Sequence, residues 1–179
     1  MRRTFMLAAV AAFLLVSGCG SGPDGQAGTV TETEAAKAPK GPIKVSIGDT
    51  VDDEEGGSIT AHGYRVTTDT LGKKVGAVDI EVCLGPDVPA GVEDAEGHVT
   101  TDYWSAVDKE NRRYQHPGEW SENKDVSPVL DPETPASWGD CVRGWALLET
   151  NDKTDVTEIR YYRPKDENRN ATDIRWAVK

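Results

Sequence analysis

Two cysteine-containing segments with the periodicity of β-strands constrain the fold of this chain most. In residues 77–84, aliphatic side chains alternate with polar ones or cysteine, which is the period of two expected of a half-buried strand. The aliphatic set is Val78, Ile80 and Val82, and the opposite set is Asp79, Glu81 and Cys83. In residues 141–148, Cys141 lies on the same side as Arg143. Both cysteines therefore lie on the polar sides of their strands, and a bond between them would join strands of one sheet rather than cross the core.

The N-terminal residues 1–19 show the features of a bacterial lipoprotein signal in their usual order. Arg2 and Arg3 precede an apolar run at 5–16, which is too short to span a bilayer as a helix. Residues 16–19 (Val-Ser-Gly-Cys) resemble a lipobox, in which the cysteine receives diacylglycerol and becomes the new N-terminus. We therefore expect a cell-membrane protein that is lipid-anchored through Cys19 on the extracytoplasmic face. The alternative is an ordinary secretory signal cleaved nearby, with Cys19 incidental.

The cysteine count then predicts a disulfide bond. The chain has three cysteines, so lipidation of Cys19 leaves Cys83 and Cys141, an even number in an oxidising compartment. A bond between them would close a loop of nearly sixty residues. The alternatives are two free thiols or two metal ligands, although metal pairs usually have closer spacing and nearby histidines.

The remainder of the chain divides into a tether and a single domain. Residues 20–41 are rich in Gly, Ala, Thr, Pro and charged residues, with Val30 as their one large aliphatic residue. This composition predicts a flexible tether, because it offers too little apolar surface to order itself. Residues 42–179 have the composition of a globular domain with one core.

Short segments with period-two alternation recur along this domain, and none has the periodicity of a long helix. The predicted strands lie at 43–47, 58–70, 77–84, 99–107, 112–116, 141–148, 157–161 and 174–178. Residues 117–137 are polar and contain four prolines, so we expect a long loop there. This pattern predicts an all-β protein with an immunoglobulin-like antiparallel β-sandwich.

Four of these segments also resemble a known family. They are Ile47-Gly48-Asp49, the strand at 78–83, the hairpin at 108–114, and the strand at 141–145. Together they are similar to bacterial immunoglobulin-like lipoproteins grouped as a domain of unknown function, whose fold is similar to that of the mycobacterial secreted immunoprotective antigen. Asn111 departs from the pattern, because a turn glycine is common there, but Asn tolerates a left-handed turn. The resemblance implies a fold and a location, and it supplies no catalytic residue.

The charge of the chain argues against nucleic acid as a partner. The formal net charge is −11, and loss of Arg2 and Arg3 with the signal brings the mature chain to −13 (−11 − 2). Such a surface repels phosphate backbones and anionic lipid headgroups. We therefore expect membrane attachment to depend on the N-terminal lipid alone.

The sequence contains no recognisable catalytic constellation, and we expect no enzyme activity, no cofactor and no metal. Residues 121–124 match S-x-x-K but lack the companion motifs of penicillin-recognising enzymes, and His62, His98 and His116 lack metal-binding spacing. The acidic residues at 49 and 52–55 are either Ca²⁺ ligands or a solvated turn. The alternative function is therefore a small envelope hydrolase or a calcium- or metal-dependent enzyme whose site is assembled only in the fold.

Aromatic residues concentrate near the predicted long loop at 117–137. Three of them, Tyr114, Trp120 and Trp138, are candidate binding residues, because interfaces favour Tyr and Trp. The alternative is that these rings close the edge of a small core. We predict a noncovalent binding module, recognising either another envelope protein or a small ligand, with recognition centred on this loop.

Overall fold

Two β-sheets face each other across a common hydrophobic core. The computed structural model describes residues 41–88, 96–117, 123–166 and 169–179, all within the unit Pro39–Lys179. The strands described are β1 (Ile43–Ser46), β2 (Thr50–Asp52), β3 (Ser58–Thr68), β4 (Lys74–Cys83), β5 (Glu96–Thr100), β6 (Trp104–Asp108), β7 (Arg113–Tyr114), β8 (Glu133–Ser137), β9 (Cys141–Leu148), β10 (Val156–Arg163) and β11 (Thr172–Ala177). Among these residues, no helix is long and apolar enough to cross a membrane.

The strand order is that of a β-sandwich. One sheet has the order β1-β11-β10-β6-β7 and the other has the order β2-β3-β4-β9, while β5 and β8 form a separate two-stranded ribbon. The described pairings are antiparallel except for that of β1 with β11. Ile59 and Ile80 from one sheet join Ile159 and Ile174 from the other in a single buried cluster. The predicted immunoglobulin-like β-sandwich is therefore confirmed.

Strand β4 lies inside the four-stranded sheet, between β3 and β9, as its alternating sequence predicts. Val78 and Ile80 are fully buried in the core, whereas Asp79 and Glu81 lie on the outer face near Arg143 of β9. Arg143 donates two hydrogen bonds to Asp79, at 3.1 and 2.9 Å. The period of two has therefore placed the apolar side chains inward and the charged ones outward.

The disulfide bond between Cys83 and Cys141 is present, which confirms that prediction. The two cysteines are directly opposite each other on β4 and β9, so the bond joins neighbouring strands on the outer face of one sheet. Beyond the bond, the Leu84 amide donates to the Asp140 carbonyl and the Gly139 amide donates to the Gly85 carbonyl. The ends of the two strands are thus held by backbone hydrogen bonds as well as by sulfur.

Large aromatic rings fill the centre of the core on the five-stranded sheet. Trp104 and Trp176 are stacked, with ring centroids 5.4 Å apart and an interplanar angle of 23°. Tyr161 meets Trp104 edge-on at 5.3 Å. Both tryptophans are fully buried, so burial and favourable ring geometry together stabilise this layer.

The hairpin of β6 and β7 is organised by one buried carboxylate. Asp108 accepts hydrogen bonds from the amides of Glu110 and Arg112, from the Arg112 guanidinium and from the Tyr114 hydroxyl. Burial alone would raise the pKa of Asp108, but the hydrogen bonds from Arg112 and Tyr114 and the charge of Arg112 lower it to about 2. Asn111 has a φ of 61°, so it occupies the left-handed turn position that the sequence predicted for it.

The predicted strand at 99–107 is divided between two sheets. Its first part belongs to β5 in the ribbon and its second part to β6 in the five-stranded sheet, with a 3-10 turn at Thr101–Tyr103 between them. The Thr100 hydroxyl accepts the amide of Asp102 and so caps this turn. Alternation continued across the turn in the sequence, which is why periodicity did not reveal the break.

The described part of the predicted loop at 117–137, residues 123–137, is more ordered than its composition indicates. It contains β8, whose sequence Glu-Thr-Pro-Ala-Ser has weak strand propensity but is tolerated in a strand with one partner. Val126 is 2% exposed and packs with Val75, Ala77 and Leu147 on the outer face of the four-stranded sheet. Residues 123–130 therefore cover part of that sheet, and recognition by this loop stays a prediction.

Backbone hydrogen bonds fix the same segment along the free edge of β9. The Trp145 amide donates to the Pro128 carbonyl and the Leu130 amide donates to the Trp145 carbonyl. Asn123, itself buried, accepts through Oδ1 from the Thr67 hydroxyl and from the amides of Asp125 and Val126. These contacts protect the edge of β9 from pairing with another chain.

Candidate functional site

A cleft of about 400 Å³ opens where the β5-β8 ribbon meets the end of the sandwich. The surrounding elements are the β2–β3 turn, the ends of β4 and β10, the ribbon, and the turn that follows β8. The polar and aromatic residues that line it are Asp53, Glu55, Glu96, His98, Thr100, Tyr103, Glu133, Trp138, Tyr161, Arg163 and Arg169. Its volume lies in the range of small-molecule sites.

Arg163 forms the buried basic side of this cleft. It is 6% exposed, and its guanidinium lies 3.7 Å from Asp53 and 3.5 Å from Glu55. The Nη2 atom donates to the Thr172 hydroxyl at 3.4 Å. The Nε atom is buried and has no hydrogen-bond partner among the described residues. The positive charge of the guanidinium is therefore balanced by the two carboxylates, but its Nε–H group has no acceptor among the described residues.

The acidic turn that the sequence presented as a calcium candidate is engaged by protein groups. Asp53 Oδ1 accepts the amides of Glu55 and Gly57 at 2.8 and 3.0 Å, which stabilises the turn. Glu55 lies 3.7 Å from Arg169 in addition to its contact with Arg163, and Glu54 accepts from Asn170. These carboxylates link the β2–β3 turn to the β10–β11 connection and so close one end of the sandwich.

Arg169 keeps its charge in this setting. Burial lowers the pKa of Arg169, but the hydrogen bond to Asp166 and the charge of Glu55 outweigh that effect and raise it overall. Each of the two arginines of the cleft lies next to at least one carboxylate.

The ribbon presents a second and different polar surface to the cleft. Glu96, His98 and Thr100 alternate along β5, and Glu133 of β8 lies directly opposite Thr100, so these side chains share one face. Glu96, His98 and Glu133 are exposed and make no hydrogen bond or ion pair with any described residue. The ribbon therefore contributes carboxylate oxygens that are free to accept hydrogen bonds.

Aromatic rings supply the apolar surface. Tyr103 meets Tyr161 edge-on, with ring centroids 5.7 Å apart. Burial raises the pKa of Tyr161 to about 12, although the nearby Arg163 acts in the opposite direction, so its hydroxyl stays neutral. Trp138 is half-buried, and its indole Nε1 is buried without a partner among the described residues.

Of the three predicted binding residues, the structure places Trp138 at the cleft. Tyr114 is not among the residues that line the cleft, and its hydroxyl is bound to Asp108. Trp120 and the lipidation candidate Cys19 lie outside the described residues. A binding role for Tyr114 stays a prediction without a contact at this site.

Sequence reasoning missed most of the cleft. His98, Glu133 and Arg163 come from three separate strands, and no motif joins them. The available signals were Trp138 and the acidic run at 52–55, which indicated a solvated turn or Ca²⁺ ligands rather than arginine partners. The missing information was the position of the ribbon, because β8 was not predicted.

A second group of ligand-type side chains lies on the outer face of the four-stranded sheet. Glu81, Cys83 and Cys141 come close together there among the described residues. The two sulfurs are bonded to each other and so are not available as thiolate ligands or nucleophiles. Glu81 Oε2 instead lies 2.9 Å from His62 Nε2. We therefore assign these three residues a structural role.

No family model matches the chain, and no curated protein matches it. Among solved structures, the chain is similar to MPT63, a secreted protein from Mycobacterium tuberculosis, with 11% sequence identity and a TM-score of 0.47. The similarity covers 76% of this chain and 98% of MPT63. It concerns the fold alone and carries no information about ligand or activity.

Proposed function

We propose that this protein is a lipid-tethered extracytoplasmic binding module that holds its ligand noncovalently in the cleft between the ribbon and the sandwich. The observation that carries the proposal is the cleft itself, a concave site with convergent donors, acceptors and aromatic rings. Sites of this composition orient a ligand through a few polar contacts and bury its apolar surface against rings. The ligand would be a small molecule, or a small part of a larger envelope component.

Binding is favoured over catalysis by the way in which the reactive groups are used. Asp53 and Glu55 are hydrogen-bonded or ion-paired to the turn and to arginines, and Cys83 and Cys141 are bonded to each other. The groups of the cleft that remain free, Glu96, His98 and Glu133, are exposed, whereas general acid–base and nucleophilic chemistry need a group that is held next to the reacting atom. We therefore propose that the protein is not an enzyme.

The proposed location rests on the disulfide bond and on the N-terminal pattern. Disulfide bonds persist in oxidising compartments, which for a bacterium lie outside the cytoplasm. The lipobox-like residues 16–19 then supply the attachment to the membrane. Cys19→Ala should move the protein from the membrane fraction to the soluble extracytoplasmic fraction. Membrane retention with unchanged electrophoretic mobility would contradict lipidation at this residue.

The binding proposal is tested by crosslinked pull-down of the full tethered protein from its own envelope. Trp138→Ala should abolish the captured ligand, because it removes a ring and an N–H group from the cleft. The matched control is Tyr162→Ala, an exposed aromatic under Arg160 that does not line the cleft. Equal capture by the wild type and Trp138→Ala, with Tyr162→Ala also unchanged, would exclude the cleft as the binding site.

A further inference from the structure

The cleft contains two buried hydrogen-bond donors that the protein leaves unused. Seven buried side-chain nitrogen or oxygen atoms lack a partner among the described residues. Two of them, Arg163 Nε and Trp138 Nε1, belong to residues of the cleft, and the other five belong to residues that do not line it. A buried donor without an acceptor is unfavourable, so these two atoms favour a ligand that brings acceptor oxygens. Because both atoms are closed to solvent, the two side chains must shift when the ligand binds to open these donors to the cleft.

The opposite requirement holds on the ribbon side of the cleft. Glu96 and Glu133 are exposed carboxylates without a partner among the described residues, and carboxylates only accept hydrogen bonds. A ligand that lies between the ribbon and Arg163 must therefore donate hydrogen bonds on one side and accept them on the other. Hydroxyl groups do both, since each has one donor and two acceptor lone pairs.

The rings of the cleft add a third requirement. Tyr103 and Trp138 are half-buried, so each offers part of an aromatic surface to a ligand. A ligand with an apolar face can pack there while its polar groups meet the donors and acceptors. A sugar ring has such a face, formed by its C–H groups, and hydroxyls around its edge.

Charged ligands fit the site less well. An anion would approach Arg163 and Arg169, whose charges are already compensated by Asp53, Glu55 and Asp166, and it would pass the free carboxylates of the ribbon. A simple cation would satisfy Glu96 and Glu133 but would leave Arg163 Nε and Trp138 Nε1 without acceptors.

From these contacts we infer that the cleft binds a neutral saccharide, one or two sugar rings in size. This inference rests on the proposed binding function and specifies the chemical class of its ligand. Arg163 and Trp138 donate to ring or hydroxyl oxygens, Glu96 and Glu133 accept from hydroxyls, and the faces of Tyr103 and Trp138 pack against the ring.

The indole N–H of Trp138 allows a direct test. In a ¹H–¹⁵N correlation spectrum each tryptophan contributes one indole signal, and Trp138→Phe identifies the one from Trp138 by its loss. The probes are maltose, N,N′-diacetylchitobiose and the neutral oligosaccharides released from the protein's own envelope, with trilysine as a cation and inorganic phosphate as an anion. We expect a neutral saccharide to shift the Trp138 indole signal in a saturable manner, and the signal of Trp145 to stay in place.

Variants separate the roles of the cleft residues. Trp138→Phe keeps a ring but removes the donor, and it should weaken saccharide binding by about tenfold, the effect of one lost hydrogen bond. Arg163→Lys keeps the charge but removes Nε, and it should weaken binding to a similar degree. Trp145→Phe, on the outer face under Arg65, is the matched control and should leave the affinity unchanged. Melting temperatures of all variants show whether each one folds.

The outcomes distinguish the saccharide inference from the binding proposal. If trilysine or phosphate shifts the Trp138 signal and no neutral saccharide does, the cleft binds a ligand but the saccharide inference is wrong. If no probe shifts the signal and Trp138→Ala also leaves the envelope pull-down unchanged, both are wrong. If no probe shifts it but the pull-down depends on Trp138, the saccharide inference alone is overturned.

Discussion

Removal of the disulfide bond should lower stability strongly while leaving the cleft intact. The bond joins residues separated by 58 positions, and the chain-entropy model gives about 4 kcal/mol for a loop of this length. In the native state, the strand ends next to the bond are also held by hydrogen bonds between Leu84 and Asp140 and between Gly85 and Gly139. The expected loss therefore arises mainly in the unfolded chain, which gains freedom when the cross-link is absent.

The perturbation is the double substitution Cys83→Ser with Cys141→Ser, studied by urea denaturation and by thermal melting. We expect the free energy of unfolding to fall by about 4 kcal/mol and the melting temperature to fall by about 10–15 °C for a domain of this size. Wild-type protein treated with a dithiol reductant should match the double variant, and it serves as the chemical control.

The same variant tests whether the bond also shapes the site, since Cys83 lines the cleft. At temperatures where the variant is folded, the Trp138 indole signal should keep its wild-type position. A loss of stability below about 1 kcal/mol would refute the argument from the closed loop. A displaced Trp138 signal in the folded variant would show that the bond, and not the backbone hydrogen bonds, positions the end of β4.

Three further predictions follow from buried groups. Asn123→Ala should lower the free energy of unfolding by about 1–3 kcal/mol in urea, because the Thr67 hydroxyl and nearby amides lose an acceptor. Trp104→Ala should lower it by about 3–5 kcal/mol, since the ring is fully buried. The folded pKa of Asp108, about 2, lies below its ordinary 3.8, so its stabilising effect is complete above that value and is lost as the pH falls toward 2. Asp108→Asn should abolish the loss of stability that occurs as the pH falls from 3.8 to about 2. The control Asp152→Asn, at an exposed carboxylate, should leave this loss unchanged.

Local alternation in the sequence was enough to predict most of the strands and the faces they bury. Val78 and Ile80 are in the core and Asp79 and Glu81 are outside because the period of two depends only on neighbouring residues. The disulfide pairing was predictable from the cysteine count, since lipidation of Cys19 would leave only Cys83 and Cys141 to pair. The fold class follows from the number and spacing of such strands.

The sheet to which a segment belongs was decided only by the tertiary structure. Residues 99–107 alternate without interruption, but a capped turn at Thr101–Tyr103 sends the two halves to different sheets. β8 forms because β5 pairs with it, although Pro135 and its polar neighbours have little strand propensity of their own. Propensity is weak compared with the hydrogen bonds and burial that a partner strand provides.

The cleft likewise exists only in three dimensions. Its polar residues lie as far apart in the chain as Asp53, His98, Glu133 and Arg163, and each has an ordinary local sequence. The turn at 52–55 predicted a charged surface, but its arginine partners were supplied by the packing of one sheet against the other. Alternation records which side of a strand is buried, whereas a binding site depends on which distant strands meet, and that is determined by long-range packing.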